Sequence, residues 1–242
     1  MKHGKLPVRL DSRNLKLTTY LSQLLIPTSI DWTNGISTWG MYHNDTIGDC
    51  TCAAAAHLEM LWTSNAGNIV IPADQDILSA YSAITGYDSN NPNTDQGANE
   101  LDVLSYWRVN GIANHKIGAF VQLNLRDIQH VKAAVAIFGG AYLGVQLPNS
   151  AIDQTSSGQI WDIVADDGGI DGGHAIPVVA YDATGLTCIT WGQEQRMSWD
   201  FFNKYMDEGY AILSTDFLNG KGTTPSGFNL QQLQADLAAV TN

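Results

Sequence analysis

Basic residues are scarce in this chain: 12 Lys+Arg stand against 24 Asp+Glu in 242 residues, a formal net charge of −12. A surface that acidic repels phosphate backbones and anionic lipid, which argues against nucleic acid and membranes as partners. Charge of either sign is sparse, at 15% of residues against 44% hydrophobic. That balance predicts a packed core and excludes a disordered tail or a charged coiled coil. No apolar run approaches the ~18–20 residues of a membrane helix. None follows the basic N-terminal decapeptide as the core of a secretory signal would. Cysteine is rare as well. Cys50, Cys52 and Cys188 are odd in number and irregularly spaced, so neither a disulfide framework nor a zinc site is predicted. A reducing compartment follows, with no metal and no cofactor implied.

What is present divides the chain by period. Residues 1–25 read as an extension that packs on something else through Leu15, Leu17, Leu21, Leu24 and Leu25. Helices are predicted over Cys50–Thr63 (with the Ala53–Ala56 run), Asp74–Thr85 (closed by Gly86) and Asn99–Asn110 (closed by Gly111). The second half turns to strands, Lys116–Leu123 and Ala141–Leu147, separated by a helix capped near Asn124. A Gly/Asp-rich loop leads to an apolar strand, His174–Tyr181, paired through a turn at Asp182–Gly185 with Leu186–Trp191. Ser198 caps a short helix, and Tyr210–Ser214 is the last strand. Helices first and antiparallel strands second make an α+β arrangement, with a helical lobe at about 26–112, a β lobe at about 113–214 and a cleft between. Gly220–Gly227 reads as a linker to a terminal amphipathic helix, Asn229–Val240. The extension or this helix offers a surface for a protein partner.

Two residues carry candidate chemistry. Cys50 opens the first helix, where unpaired N–H groups and the helix dipole stabilise a thiolate. Cys52, roughly 200° around the helix, faces elsewhere and reads as core. Among the six histidines, His174 stands out: Gly172-Gly173 precede it, letting the backbone bend and a ligand approach, and an apolar strand follows. His57 shares a helix face with Cys50 but lies about 10 Å along the axis, too far for proton transfer. Asp166–Asp171 lacks the alternating ligands of an EF-hand and reads as a solvated turn. Trp32, Trp107 and Trp191 have core spacing rather than that of a carbohydrate platform.

Taken in order, these residues resemble the papain-like cysteine peptidases. Ile26-Pro27-Thr28-Ser29-Ile30-Asp31-Trp32 is similar to the Ile-Pro-x-x-x-Asp-Trp of a mature papain N-terminus, and Cys50 falls at the family's distance from it. Asp95-Gln96-Gly97-Ala98 before a helix, the His174–Tyr181 strand and Trp191-Gly192 match further motifs in register over roughly residues 26–214. The resemblance implies Cys50 as nucleophile and His174 as its base. It implies Asn44, six residues before the cysteine, in place of the family's oxyanion glutamine. It further implies Gly97, Ala98, Gly173 and Trp191 along a peptide or protein substrate. The departures are specific. Gly48-Asp49-Cys50-Thr51 replaces Gly-Ser-Cys-Trp, and Ile189-Thr190 stands where Asn should precede Ser-Trp-Gly, so either Thr190 or Gln193 orients His174 or the site runs as a dyad. Ile47 and Asp95 occupy the positions of family disulfide cysteines, and only 25 residues stand where the family carries a long inhibitory prosegment. The pattern also looks like bacterial and phage proteins, which implies a cytoplasmic or virion-associated place. Two readings follow: a thiol-dependent peptidase, or a catalytically degenerate papain-like module serving as a structural or partner-binding protein, for example of a phage virion.

Overall fold

Helix α1 (Cys50–Asn65) is buried from Cys50 to Thr63 around its whole circumference, as a helix must be when both lobes pack on it. The alanines at 53–56 keep one turn of the helix narrow on every side, and strand β4 (Ile170–Tyr181) packs on it. Tyr142 OH donates to Thr51 O at 2.8 Å and Trp62 Nε1 to Phe138 O at 2.8 Å, tying the helix to the β lobe. The computed structural model describes residues 2–19, 26–214 and 216–217. Leu21, Leu24 and Leu25 of the extension, the Gly220–Gly227 linker and the Asn229–Val240 helix lie outside the described residues.

The helical lobe adds α2 (Asp74–Thr85), closed by Gly86 at φ 77, and α3 (Glu100–Val109), whose N-cap Asn99 accepts from Leu101 N. Leu58, Trp62, Tyr81, Leu104 and Trp107 form the core there. Among the described residues the strands are β1 (Ile30–Asp31), β2 (Ile117–Gln122), β3 (Ala141–Pro148), β4 (Ile170–Tyr181), β5 (Gly185–Thr190), β6 (Gln193–Ser198) and β7 (Met206–Ser214). All pair antiparallel, in the order β2-β7-β3-β4-β5-β6 with β1 on β4. Helix α4 (Ile128–Phe138) covers one face, and Val131, Val135, Leu143, Ile176 and Trp161 fill the core beneath it. Among the described residues no helix is long and apolar enough to cross a membrane.

Four local expectations are corrected. Helix α4 is capped by Asp127, whose carboxylate accepts from Gln129 N at 3.0 Å, while Asn124 serves a turn by accepting from Arg126 N. The Gly/Asp-rich stretch contains a helix, α5 (Asn149–Ser156), before the turn at Gly168 and Gly169. Strand β4 begins at Ile170 rather than His174, because Gly172 and Gly173 already pair with Leu147 and Gln146. Strand β6 is an additional edge strand of mostly polar residues, too polar to read as sheet. Trp191-Gly192 is therefore a two-residue hairpin turn with φ +45 and +72, the primed geometry that matches strand twist.

Candidate active site

Cys50 opens α1, which packs on β4, the strand that carries His174. The thiol accepts backbone N–H groups from Ala175, the residue after His174, and from Gly4. His174 is 1% exposed. Its Nε2 lies 2.8 Å from Thr190 Oγ1 across the β4–β5 pair, and Nδ1 is buried with no hydrogen-bond partner among the described residues. The Trp191 ring stacks on the imidazole, centroids 4.7 Å apart and planes 21° from parallel. Trp191 reaches that position only because its backbone takes a left-handed φ, which a large side chain adopts at a cost of about 1–3 kcal/mol. The structure thus brings His174, Thr190 and Trp191 together, with Cys50 against the backbone of the next residue, Ala175. Gln193, the other expected orienter, lies on the exposed side of the hairpin and lines a surface groove with Gln159 and Glu194.

Asn44 sits beside α1, 3% exposed, but its amide points inward. Nδ2 donates to Ile47 O and to Asp49 Oδ1, both at 3.3 Å. In this arrangement both N–H groups of the amide are spent, so the expected oxyanion donor is engaged elsewhere. Asp49, the helix N-cap, makes no capping bond with its side chain, and burial pushes its carboxyl up to about 8.

The chain's own N-terminus crosses this site. Lys5 pairs with Ala98 as a parallel bridge: Ala98 N donates to Gly4 O at 2.7 Å and Leu6 N to Ala98 O at 2.9 Å, while Lys5 N donates to Gly173 O at 3.0 Å. Such an approach requires bare glycines. A Cβ on Gly4 would stand 1.7 Å from Gly48 O, and one on Gly97 2.1 Å from Gly4 O. His3 lays its ring edge on His174 at 5.5 Å and on Trp191 at 5.9 Å, with Nε2 2.6 Å from Asp171 Oδ2. Lys2 pairs with Asp95. The Asp95 carboxylate also accepts Gly48 N at 3.1 Å and Tyr81 OH at 2.6 Å. A carboxylate thus joins the two segments that the resemblance would link by a disulfide.

This cover corrects the expectation of an exposed, thiolate-stabilised cysteine. Cys50 is 1% exposed, and burial pushes its thiol up to about 12 despite the helix start and two N–H donors. Burial, with His3 adding to it, lowers His174 well below the usual histidine value. Under the N-terminal strand the pair is neutral thiol beside neutral imidazole. Cys52 and Cys188 are fully buried core residues. Sequence reasoning missed His3, Gly4, Lys5 and Asp171. The crowd of small residues at Gly4, Gly97 and Gly173 was the available signal, but it acquires meaning only once the chain is folded back on itself.

No protein-family model matches the chain, and no curated protein matches it in sequence. Solved structures do match in fold. Xylellain, a cysteine protease from Xylella fastidiosa, superposes with a TM-score of 0.65 at 18% identity, over 88% of this chain and 96% of that one. Digestive procathepsin L 3 of the Tenebrio molitor larval midgut gives 0.58 at 13%, over 83% and 74%. The Carica candamarcensis cysteine protease CMS1MS2, solved in complex with E-64, gives 0.56 at 14%, over 78% and 99%. At such identities the likeness is one of fold, and the fold is papain-like.

Proposed function

We propose that this papain-like chain is a thiol-dependent hydrolase, a cysteine peptidase that cleaves peptide bonds through Cys50 and His174. The observation that carries the reading is the strand at residues 4–6. An extended peptide backbone lies over the thiol, hydrogen-bonded on one side to Ala98 and on the other to Gly173, which is how a cleft built for peptides holds one. Thr190 supports the pairing of roles: with Nε2–H donating to its hydroxyl, the Nδ1 lone pair of His174 is left free for the thiol proton. In the reaction Cys50 Sγ attacks the scissile carbonyl carbon as its proton passes to His174. The Cys50 N–H, an orphan donor at the helix start, holds the oxyanion. His174 then protonates the leaving amine, and water releases the acyl group.

Before any of this the N-terminal strand leaves the cleft, readmitting water and removing the burial that keeps both groups neutral. The test is a peptide-library digest with the full chain and its Cys50→Ala variant in parallel, with labelling by a thiol-directed epoxide mapped by mass spectrometry. Cleavage that disappears in Cys50→Ala, with Cys50 as the labelled thiol, is expected. Cleavage that survives the substitution, or labelling of Cys52 or Cys188 ahead of Cys50, rejects the assignment. A Gly4→Ala chain, its strand displaced, that still neither cleaves nor labels is a degenerate module.

A further inference from the structure

Beside the thiol lies a pocket that the mechanism does not use. Lys5, the residue next to the one whose N–H meets Cys50 Sγ, drops its side chain between the lobes and is fully buried there. Its ammonium is 2.9 Å from Glu208 Oε1 and 3.1 Å from Asp207 Oδ2. Glu100, from α3 on the opposite lobe, is fully buried too, and neither of its carboxylate oxygens has a hydrogen-bond partner among the described residues. The floor is Gly144 of β3: a Cβ there would stand 2.1 Å from Lys5 Cε and 2.8 Å from both Glu100 Oε1 and Asp207 Oδ1. Only a residue without a side chain leaves room for the lysine stem.

Three carboxylates around one cation are more than a structural lysine needs. Burial works against the ammonium, yet Glu100, Glu208 and Asp207 together raise its pKa above the usual 10.5. The main chain of the same residue donates to Gly173 O, and its neighbours Gly4 and Leu6 pair with Ala98, contacts made with backbone alone and open to any peptide in that path. Side-chain selection therefore falls to the pocket. Burial, with Glu208 and Asp207 beside it, pushes the Glu100 carboxyl well up, so an apolar occupant leaves a buried acid without a partner and an acidic occupant adds like charge. A lysine or arginine satisfies it with charge-assisted bonds.

The geometry points to Glu100, Asp207 and Glu208 as a specificity pocket for a basic side chain, so that the substrates of this cleft are peptides carrying Lys or Arg next to the residue seated at the thiol, and Lys5 occupies the place of that side chain. This rests on the peptidase reading for the word substrate, but not for the binding. The experiment uses the full chain with Lys5→Ala, which vacates the pocket, combined with Cys50→Ala. Short peptide amides that differ in one residue (lysine, arginine or norleucine) are titrated by calorimetry. The lysine and arginine peptides are expected to bind at least ~10-fold tighter than norleucine, and Glu100→Gln with Glu208→Gln is expected to erase the preference. Equal binding, or tighter binding of norleucine, overturns the pocket. Should the vacated variant not fold, the wild-type digest decides: cleavage sites with Lys or Arg at one fixed position support the pocket, and indifference to that position rejects it. A basic preference in binding without any cleavage leaves the pocket standing and removes the hydrolase. Cleavage without the preference does the reverse.

Discussion

His174 depends on one hydroxyl at the place where the resemblance implies an asparagine amide. Thr190 Oγ1 is within hydrogen-bond distance of Nε2, and Trp191 stacks on the ring, so the imidazole is held by one polar contact and one face. Thr190→Val keeps the shape and removes the polar contact. It is expected to lower kcat about 10-fold, while His174→Ala loses the roughly 10²–10⁴-fold of general acid–base work; steady-state kinetics on one peptide compares them. Full activity in His174→Ala would show that another base operates. Asn44 makes the opposite kind of prediction. Its amide is spent on Ile47 O and Asp49, so Asn44→Ala is expected to cost less than about 10-fold in kcat. A loss of about 10²–10³-fold, the size associated with a removed oxyanion donor, would show the amide turning toward the oxyanion when the cleft is open.

Among the elements, the N-terminal strand decides whether the site is open. Its backbone is held by three hydrogen bonds to Ala98 and Gly173, its side chains by Asp95, Asp171, Asp207 and Glu208, and its path depends on Gly4. Gly4→Ala places a methyl where Gly48 O already stands, so the strand is expected to leave the cleft and alkylation of Cys50 to quicken at least ~10-fold, read by mass spectrometry at neutral pH. An unchanged rate would show that the strand does not limit access. How far the sequence reveals such elements depends on how local their causes are. Helix α2 was legible to the residue, because Asp74, its apolar spacing and Gly86 are consecutive. The places of Cys50 at a helix start and of Thr190 opposite His174 were legible because helix start, glycine pair and hairpin lie within short stretches. The blocking strand was not, since its pairing with Ala98 and Gly173 spans more than ninety positions and uses backbone only. The acidic pocket was equally hidden: Glu100, Asp207 and Glu208 come from distant segments and converge only when α3 meets β7 against Lys5. Strand β6 escaped notice for a different reason, its alternation being carried by polar residues on an edge.

At the scale of the whole molecule, the site is cut between two cores, and burying charge-bearing groups at their junction sets the response to pH. Glu59 of α1 is buried and accepts Trp107 Nε1 at 2.9 Å, and burial pushes its carboxyl up to about 9 from an ordinary 4.5. The folded chain therefore keeps this proton while the unfolded chain loses it. Stability from Glu59 is complete below about pH 4.5 and is lost progressively as pH rises through about 9. Asp49 acts in the same direction, with its carboxyl at about 8. His57 runs the other way: it is buried against Gly40 O and burial lowers it to about 4 from 6.5. Its stability is present above pH 6.5 and is lost as pH falls through 4. The two tendencies together predict maximal stability on the mildly acidic side of neutrality. Glu59→Gln keeps an oxygen for Trp107 and removes the titration. The variant is expected to melt higher than the wild type at pH 8 and at nearly the same temperature at pH 4.5, in thermal unfolding followed by circular dichroism. If the two proteins instead lose stability in parallel between those pH values, Glu59 is ionised in the folded state and the burial argument for α1 fails.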